Sequence, residues 1–320
     1  MRRIPSAVAI PALLGLALGA VGLSLLVGSV PLREVTPVIL WELRLGRAVL
    51  AFVAGAALGA SGVTFQGLFR NPLADPFVVG VSGGAALGAV AAIVSGVEVT
   101  LLGLGASTLA AFAGGLGAAF LAYQLARVRG RVPVASLLLA GFAVGAFSGA
   151  LVSVLLLWDR RNWGEVIAWL MGYINGVSPW DRVWVLLPFA GASLAAMAFH
   201  ARELDLMLQG EETAQQLGVE TERVKRVLLA AGAVAAAAAV AACGIIGFVG
   251  LVVPHVVRAL VGPRHRALLP VTVLAGGSAL VLADVLSRLA SPESPLPVGA
   301  VTALFGAPFF VWLLRRKAGG

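Results

Sequence analysis

The sequence is poor in charge, in cysteine and in histidine, and each shortage removes a class of protein. Only 12% of the 320 residues are charged, about half the ~25% of a soluble domain. Hydrophobic residues make up 60%, more apolar surface than a soluble fold of this size can hide. A soluble enzyme, a disordered chain and a disulfide scaffold are thereby excluded. The single cysteine, Cys243, permits no internal disulfide and no multi-cysteine metal site, and reads as a small buried apolar residue. His200, His255 and His265 are far apart and lack ligand spacing, so they read as interfacial or loop residues. No GxxxxGK(S/T) phosphate loop occurs, and no Ser-His-Asp order or paired catalytic carboxylate emerges. Ionisable residues are almost missing from the centres of the apolar runs, which argues against an ion-coupled pump. The net charge of +8 comes without a basic run interleaved with aromatics, so no nucleic-acid partner is expected.

What the chain does have is long apolar runs. A transmembrane helix takes about 20 such residues, and ten candidate spans lie at about 6–30, 47–69, 77–95, 99–126, 133–157, 182–201, 222–242, 244–261, 267–289 and 297–314. The expected fold is all-α: one polytopic transmembrane domain, 1–320, of about ten helices. The seventh and eighth spans are nearly continuous, divided only by Cys243, Gly244 and Gly247. Arg2 and Arg3 precede an apolar run too long for a secretory signal core of ~7–15 residues, so the first run reads as a retained helix. With the N-terminus inside, sixteen of the 23 Lys and Arg fall on the inner side and seven on the outer. That asymmetry places both termini in the cytoplasm.

Three interruptions differ from ordinary loops. The outward segment from Trp158 to Arg182, with Gly172, Gly176 and Pro179, suits short helices at the membrane surface. The inward stretch 202–226 is the most polar of the chain, and its breaks at Gly210 and Gly218 predict a pair of short helices under the membrane. In RNPLADPFVVGVSGGAALGA, Arg70 to Ala89, Pro72 and Pro76 interrupt a helix and Asn71 and Asp75 supply turn chemistry. The chain turns there at the inner face and re-enters, which suits either close-packed helices or a constriction on a pathway.

The stretch RLGRAVLAFVAGAALGASGVTFQGLFRNPLADPFVVGVSGGAALGA resembles the iron-chelate and cobalamin uptake permeases of bacterial ATP-binding-cassette importers, the FecCD family. Three further blocks match in order: LMLQGEETAQQLGV, GFVGLVVPHVVRALVGPRHRALLP and ADVLSRLASPESPLPVGAVTALFGAPFFVWLL. The resemblance implies a permease without catalysis of its own, working in the bacterial inner membrane as a pair of copies. Two cytoplasmic ATPases would carry ATP and magnesium, and this chain would bind no cofactor. A periplasmic or lipid-anchored binding protein would deliver a ferric siderophore, haem or cobalamin, with iron chelates favoured. By the same resemblance Gly210, Glu211, Glu212, Ala214, Gln215, Leu217 and Gly218 couple to the ATPase. Asn71, Leu73, Pro133 and Val134 stand at the cytoplasmic gate. Arg44, Arg47 and Arg288 receive acidic residues of the binding protein, or else snorkel to the interface. A secondary carrier or an intramembrane enzyme is the alternative, and would need buried ion-coupling or catalytic residues.

Reporter fusions check the topology. Fusions after Val97 and Trp163 should report outside, and fusions after Arg129 and Gly218 inside; a reversed signal at Gly218 contradicts the orientation.

Overall fold

The computed structural model describes residues 4–159, 161–174, 179–291 and 294–318. Arg2, Arg3 and Gly176, used above, lie outside the described residues. The chain enters through α1 (Ser6–Leu26), and a π-helical stretch (Ile39–Leu45) runs into α2 (Gly46–Leu68). A 3-10 turn (Pro76–Val79) leads to α3 (Val81–Ser95). A two-residue hairpin, β1 (Thr100–Leu101) on β2 (Leu104–Gly105), precedes α4 (Ala106–Ala126) and α5 (Val134–Trp158). Then follow α6 (Trp163–Leu170), α7 (Pro179–Phe199), α8 (Ala201–Met207), α9 (Glu211–Gln216), α10 (Thr221–Cys243), α11 (Val249–Val261), α12 (His265–Ala290) and α13 (Val298–Ala318).

Seven of the described helices are long and apolar enough to cross a bilayer, and α3, α11 and Val298–Leu313 are shorter apolar helices. These correspond in order to the ten expected spans. Two boundaries move the most. The second span begins at Ile39 because a widened helical turn prolongs it outward. The fourth begins at Ala106, because its first residues form the hairpin. The weak division between spans seven and eight is real: α10 ends at Cys243, Gly244 adopts φ 71° and ψ −170°, and Phe248 at φ 69° precedes α11. Thirteen residues of α11 span about 20 Å, less than a ~30 Å hydrocarbon core. Irregular backbone beside it is tolerated in a membrane only where protein or a wet cavity covers it, and Gly244 and Ile246 are buried.

The bundle is organised around α2, which is buried along nearly all its length and packs against α12, α10, α7 and α11. Lipid removes the hydrophobic drive for helix association, so close van der Waals packing through small residues replaces it. On α2, Gly55 faces Gly276 of α12, and a Cβ on either would strike the other's carbonyl. A Cβ on Gly62 would strike the Gly250 carbonyl of α11. Ser61 Oγ donates to the Gly232 carbonyl of α10 at 2.9 Å. Helices α3 and α4 meet in the same way at Gly84 and Gly114. By contrast Leu139, Phe142 and Phe147 of α5 and Leu304 and Phe305 of α13 are exposed, as suits surfaces facing lipid or another chain.

Gly62→Val forces α2 from α11, and overpacking of this kind costs about 1–3 kcal/mol or more. Gly117→Val, where a Cβ meets nothing within 4 Å, is the control. Melting of the purified protein in detergent should fall for the first and not for the second.

Candidate functional site

At the end of the bundle that the basic asymmetry of the sequence assigns to the inside, called the inner end on that ground, two short helices lie where the sequence has its Gly breaks. α8 ends before Gly210, whose φ of 133° and ψ of 143° suit only glycine. α9 closes with a left-handed Gly218 (φ 84°): Gly218 N–H donates to the Gln215 carbonyl at 2.9 Å and Val219 N–H to Ala214 at 3.0 Å. This pair of bonds satisfies the last carbonyls of the helix. Of the residues expected to couple, Ala214 is fully buried and anchors α9, while Glu212, Gln215, Leu217 and Gly218 are exposed. Leu217 is 59% exposed, an apolar side chain displayed on a polar segment.

Glu211 is the node of this region. Its carboxylate takes Lys225 Nζ of α10 at 2.5 Å, and Lys225 also holds Glu222 at 2.9 Å. Its other oxygen lies 3.9 Å from Arg70 Nη2, at the end of α2. Asp205 of α8 accepts from the His265 amide at 2.9 Å and faces His265 Nδ1 at 2.6 Å, at the start of α12. Burial works to raise the Asp205 pKa, but the His265 hydrogen bonds and the nearby positive charge outweigh it and hold the carboxyl below its ordinary value. The two short helices are therefore fastened to α2, α10 and α12 by charge as well as by the buried apolar side chains of Leu204, Met207 and Ala214.

Arg70, left-handed at φ 48°, begins the inner turn. Asn71 Oδ1 accepts from Leu73 N–H at 3.0 Å, and Asp75 Oδ1 from Phe77 N–H at 2.9 Å; each side chain stands in for a missing backbone partner. Burial pushes the Asp75 carboxyl up to about 6, against the lowering effect of the Phe77 amide. Behind the turn, Gln66 of α2 donates to the Leu251 carbonyl at 3.2 Å and accepts from Arg258 at 2.9 Å. Asn71 and Leu73 line a cleft of about 520 Å³ with Val78, Leu138, Gly141 and Phe142. The structure thus brings them to the face of α5. Pro133 and Val134 sit a turn earlier, as the residue preceding α5 and its first residue, and are not among that lining.

At the opposite end, which the same asymmetry assigns to the outside, the expected arginines come together, but not as surface cations. Arg47 Nη2 pairs with Asp284 at 2.8 Å and its Nε donates to both carboxylate oxygens. Arg288 Nη2 meets Asp284 at 3.1 Å and Ser24 Oγ at 2.6 Å, and Nη1 donates to the Ser24 and Val27 carbonyls. Arg44 donates to the Leu25 carbonyl at 2.6 Å and Val30 at 2.5 Å. Arg44 and Arg288 are 5% and 6% exposed, and Asp284 is fully buried. All three heads are bonded within the chain, and those of Arg44 and Arg288 are buried. The cause is local, since the end of α1 offers carbonyls without intrahelical partners, where cations are favourable.

Asp284 was the residue that sequence reading passed over. Its signal was present: a carboxylate four residues before Arg288 inside an apolar span, where ionisable groups mark function or pairing. Glu211–Lys225 and Asp205–His265 carried no such signal, because their partners are 14 and 60 residues apart.

Among the described residues, a bundle of ten apolar helices with a re-entrant turn and a charged pair of short helices at one end suits a membrane permease subunit. The sequence profile of the FecCD transport family matches residues 7–316, and the chain belongs to that family. It is 49% identical to the cobalamin import permease BtuC of Halobacterium salinarum, over 89% of this chain and 75% of that one. It is 39% identical to the hemin transport permease HmuU of Yersinia pestis, over 86% and 83%. The structure overlays on an inward-facing metal-chelate-type ABC transporter with a TM-score of 0.87 at 30% identity, covering 97% of this chain and 99% of that one.

Removing one partner of a buried ion pair costs about 3–5 kcal/mol. Arg288→Ala should therefore lower the melting temperature sharply, and adding Asp284→Asn should lower it further, because Arg47 then loses its counter-charge as well. Equal melting of Arg288→Ala and the unaltered protein would contradict the buried network.

Proposed function

We propose that this chain, in two copies, forms the pathway of an ATP-driven importer for a metal chelate, with both termini in the cytoplasm. Two ATPases carry ATP and magnesium, dock on α9 and move it. The observation that carries this reading is the node at Glu211. A segment with exposed Glu212, Gln215, Gln216 and Leu217 is tied by one carboxylate to Lys225 on α10 and to Arg70 beside Asn71 and Leu73. Small rigid movements of such a segment reach the inner turn directly, and bistable packed elements amplify them. In this reading Gly210 and Gly218 are the hinges, and Asn71 and Leu73 form the gate against α5, with Pro133 and Val134 at its rim.

A substrate-binding protein docks at the opposite end. Because Arg44, Arg47 and Arg288 are already bonded, docking there proceeds by exchange: carboxylates of the binding protein compete with the α1 carbonyls and Asp284. The 49% identity to a cobalamin import permease favours a corrinoid cargo over the iron chelates that the sequence alone put first.

Cysteines placed at Gln215 and Gln216 should crosslink to the ATPase in the assembled complex. Gly218→Val should leave insertion intact while uncoupling ATP hydrolysis from uptake. Free labelling of both cysteines in the complex would remove α9 from the contact. Uptake of cobalamin against a ferric siderophore in reconstituted vesicles decides the cargo.

A further inference from the structure

Away from the inner turn and the outer arginines, a cleft of about 430 Å³ opens between α4 and α10. Its walls are apolar, with Leu116 and Phe120 from α4 and Ala233 and Val234 from α10; Val79 and Leu137 also line it. Its rim is basic. Arg127 follows α4, Arg226 stands near the start of α10, and Tyr123 and Gln124 lie beside them. The lining contains no Asp or Glu. Neither arginine has a carboxylate within ion-pair distance among the described residues; the hydrogen bond recorded for Arg226 goes to the Glu222 carbonyl, at 3.3 Å. Every outer arginine discussed above is satisfied inside the protein, and these two are not.

Two features say what the cleft takes. First, from Arg127 back to Leu116 and from Arg226 on to Val234, helix rise gives a depth of about 12–17 Å. That is about half a ~30 Å hydrocarbon core, the thickness of one leaflet. Second, two cations at the rim of an apolar slot match a headgroup phosphate above an acyl chain, and basic pockets between transmembrane helices hold such headgroups.

We propose that this cleft is a binding site for one anionic phospholipid of the leaflet facing α8 and α9, with its phosphate between Arg127 and Arg226 and an acyl chain against Phe120 and Val234. The assignment to the cytoplasmic leaflet rests on the orientation proposed above; binding itself does not.

Native mass spectrometry of the full chain, released from nanodiscs of mixed phosphatidylglycerol and phosphatidylcholine, tests it. The unaltered protein should retain one phosphatidylglycerol in preference to phosphatidylcholine. Arg127→Gln with Arg226→Gln should weaken that retention by about thirtyfold, the effect of two interfacial cations. Arg129→Gln with Arg131→Gln, which removes equal charge outside the cleft, should not. Ala230→Trp fills the cleft from an exposed position, keeps both arginines, and should also expel the lipid. Equal retention of the two lipids, or loss of phosphatidylglycerol in the Arg129/Arg131 variant, overturns the site. So does displacement of phosphatidylglycerol by millimolar inorganic phosphate, which would show a free-anion site. If the Arg127/Arg226 variant keeps its lipid but loses the ATPase, the arginines face a protein and the proposal falls, while the coupling role of α9 stands.

Discussion

Everything in this bundle depends on how closely α2 can approach its neighbours. In lipid, apolar side chains gain nothing by leaving their surroundings for one another, so contact area and backbone proximity must hold helices together. The α2 sequence supplies that proximity with glycine where α12 and α11 cross it, at Gly55 and Gly62. Its few polar groups, Ser61 and Gln66, are used to bond the neighbouring backbone. A helix buried on all sides in this way is a fixed post. The short and broken elements around it, α11 and the turn before α3, can then lack regular hydrogen bonding because protein covers them.

Charge is used differently at the two ends. At the outer end Arg44, Asp284 and Arg288 are buried and Arg47 is partly so, with Asp284 between Arg47 and Arg288, and the excess positive charge is directed onto carbonyls at the end of α1. Such a network is weak evidence of stability against an apolar alternative, yet breaking it is costly, so it locks α1 in one position. At the inner end each ion pair joins a different element to the α8–α9 segment. Lys225 and His265 are buried there, but their carboxylate partners Glu211 and Asp205 are partly open to water. Pairs open to water on one side contribute less and exchange partners more readily than a network closed on both. The two ends therefore differ in the burial of the carboxylate more than in residue type.

Much of this was legible in the sequence because it depends on local properties. Run length, basic asymmetry and the Gly breaks at 210 and 218 are readable one segment at a time, and the ten spans and the α8–α9 pair follow from them. Even the thin division at Cys243 and Gly244 was visible as a cluster of small residues. What was hidden depends on distant partners. Arg47 and Asp284 are 237 residues apart, and no local pattern says that an arginine at a span end turns inward. The widened turn at Ile39–Leu45 was hidden because its composition is that of any helix. Of the proposed gate, Asn71 and Leu73 declare a turn in the sequence, whereas the α5 residues beside them are set by packing.

The central claim is that Glu211 transmits movement of the ATPase-facing helix to the inner turn. The most direct measurement is the ratio of chelate imported to ATP hydrolysed by the complex reconstituted in vesicles, with Glu211→Gln compared with the unaltered chain. The account predicts that hydrolysis persists while import per ATP falls several-fold, because α9 still binds the ATPase but no longer pulls on Lys225 and Arg70. An unchanged ratio with Glu211→Gln would contradict it.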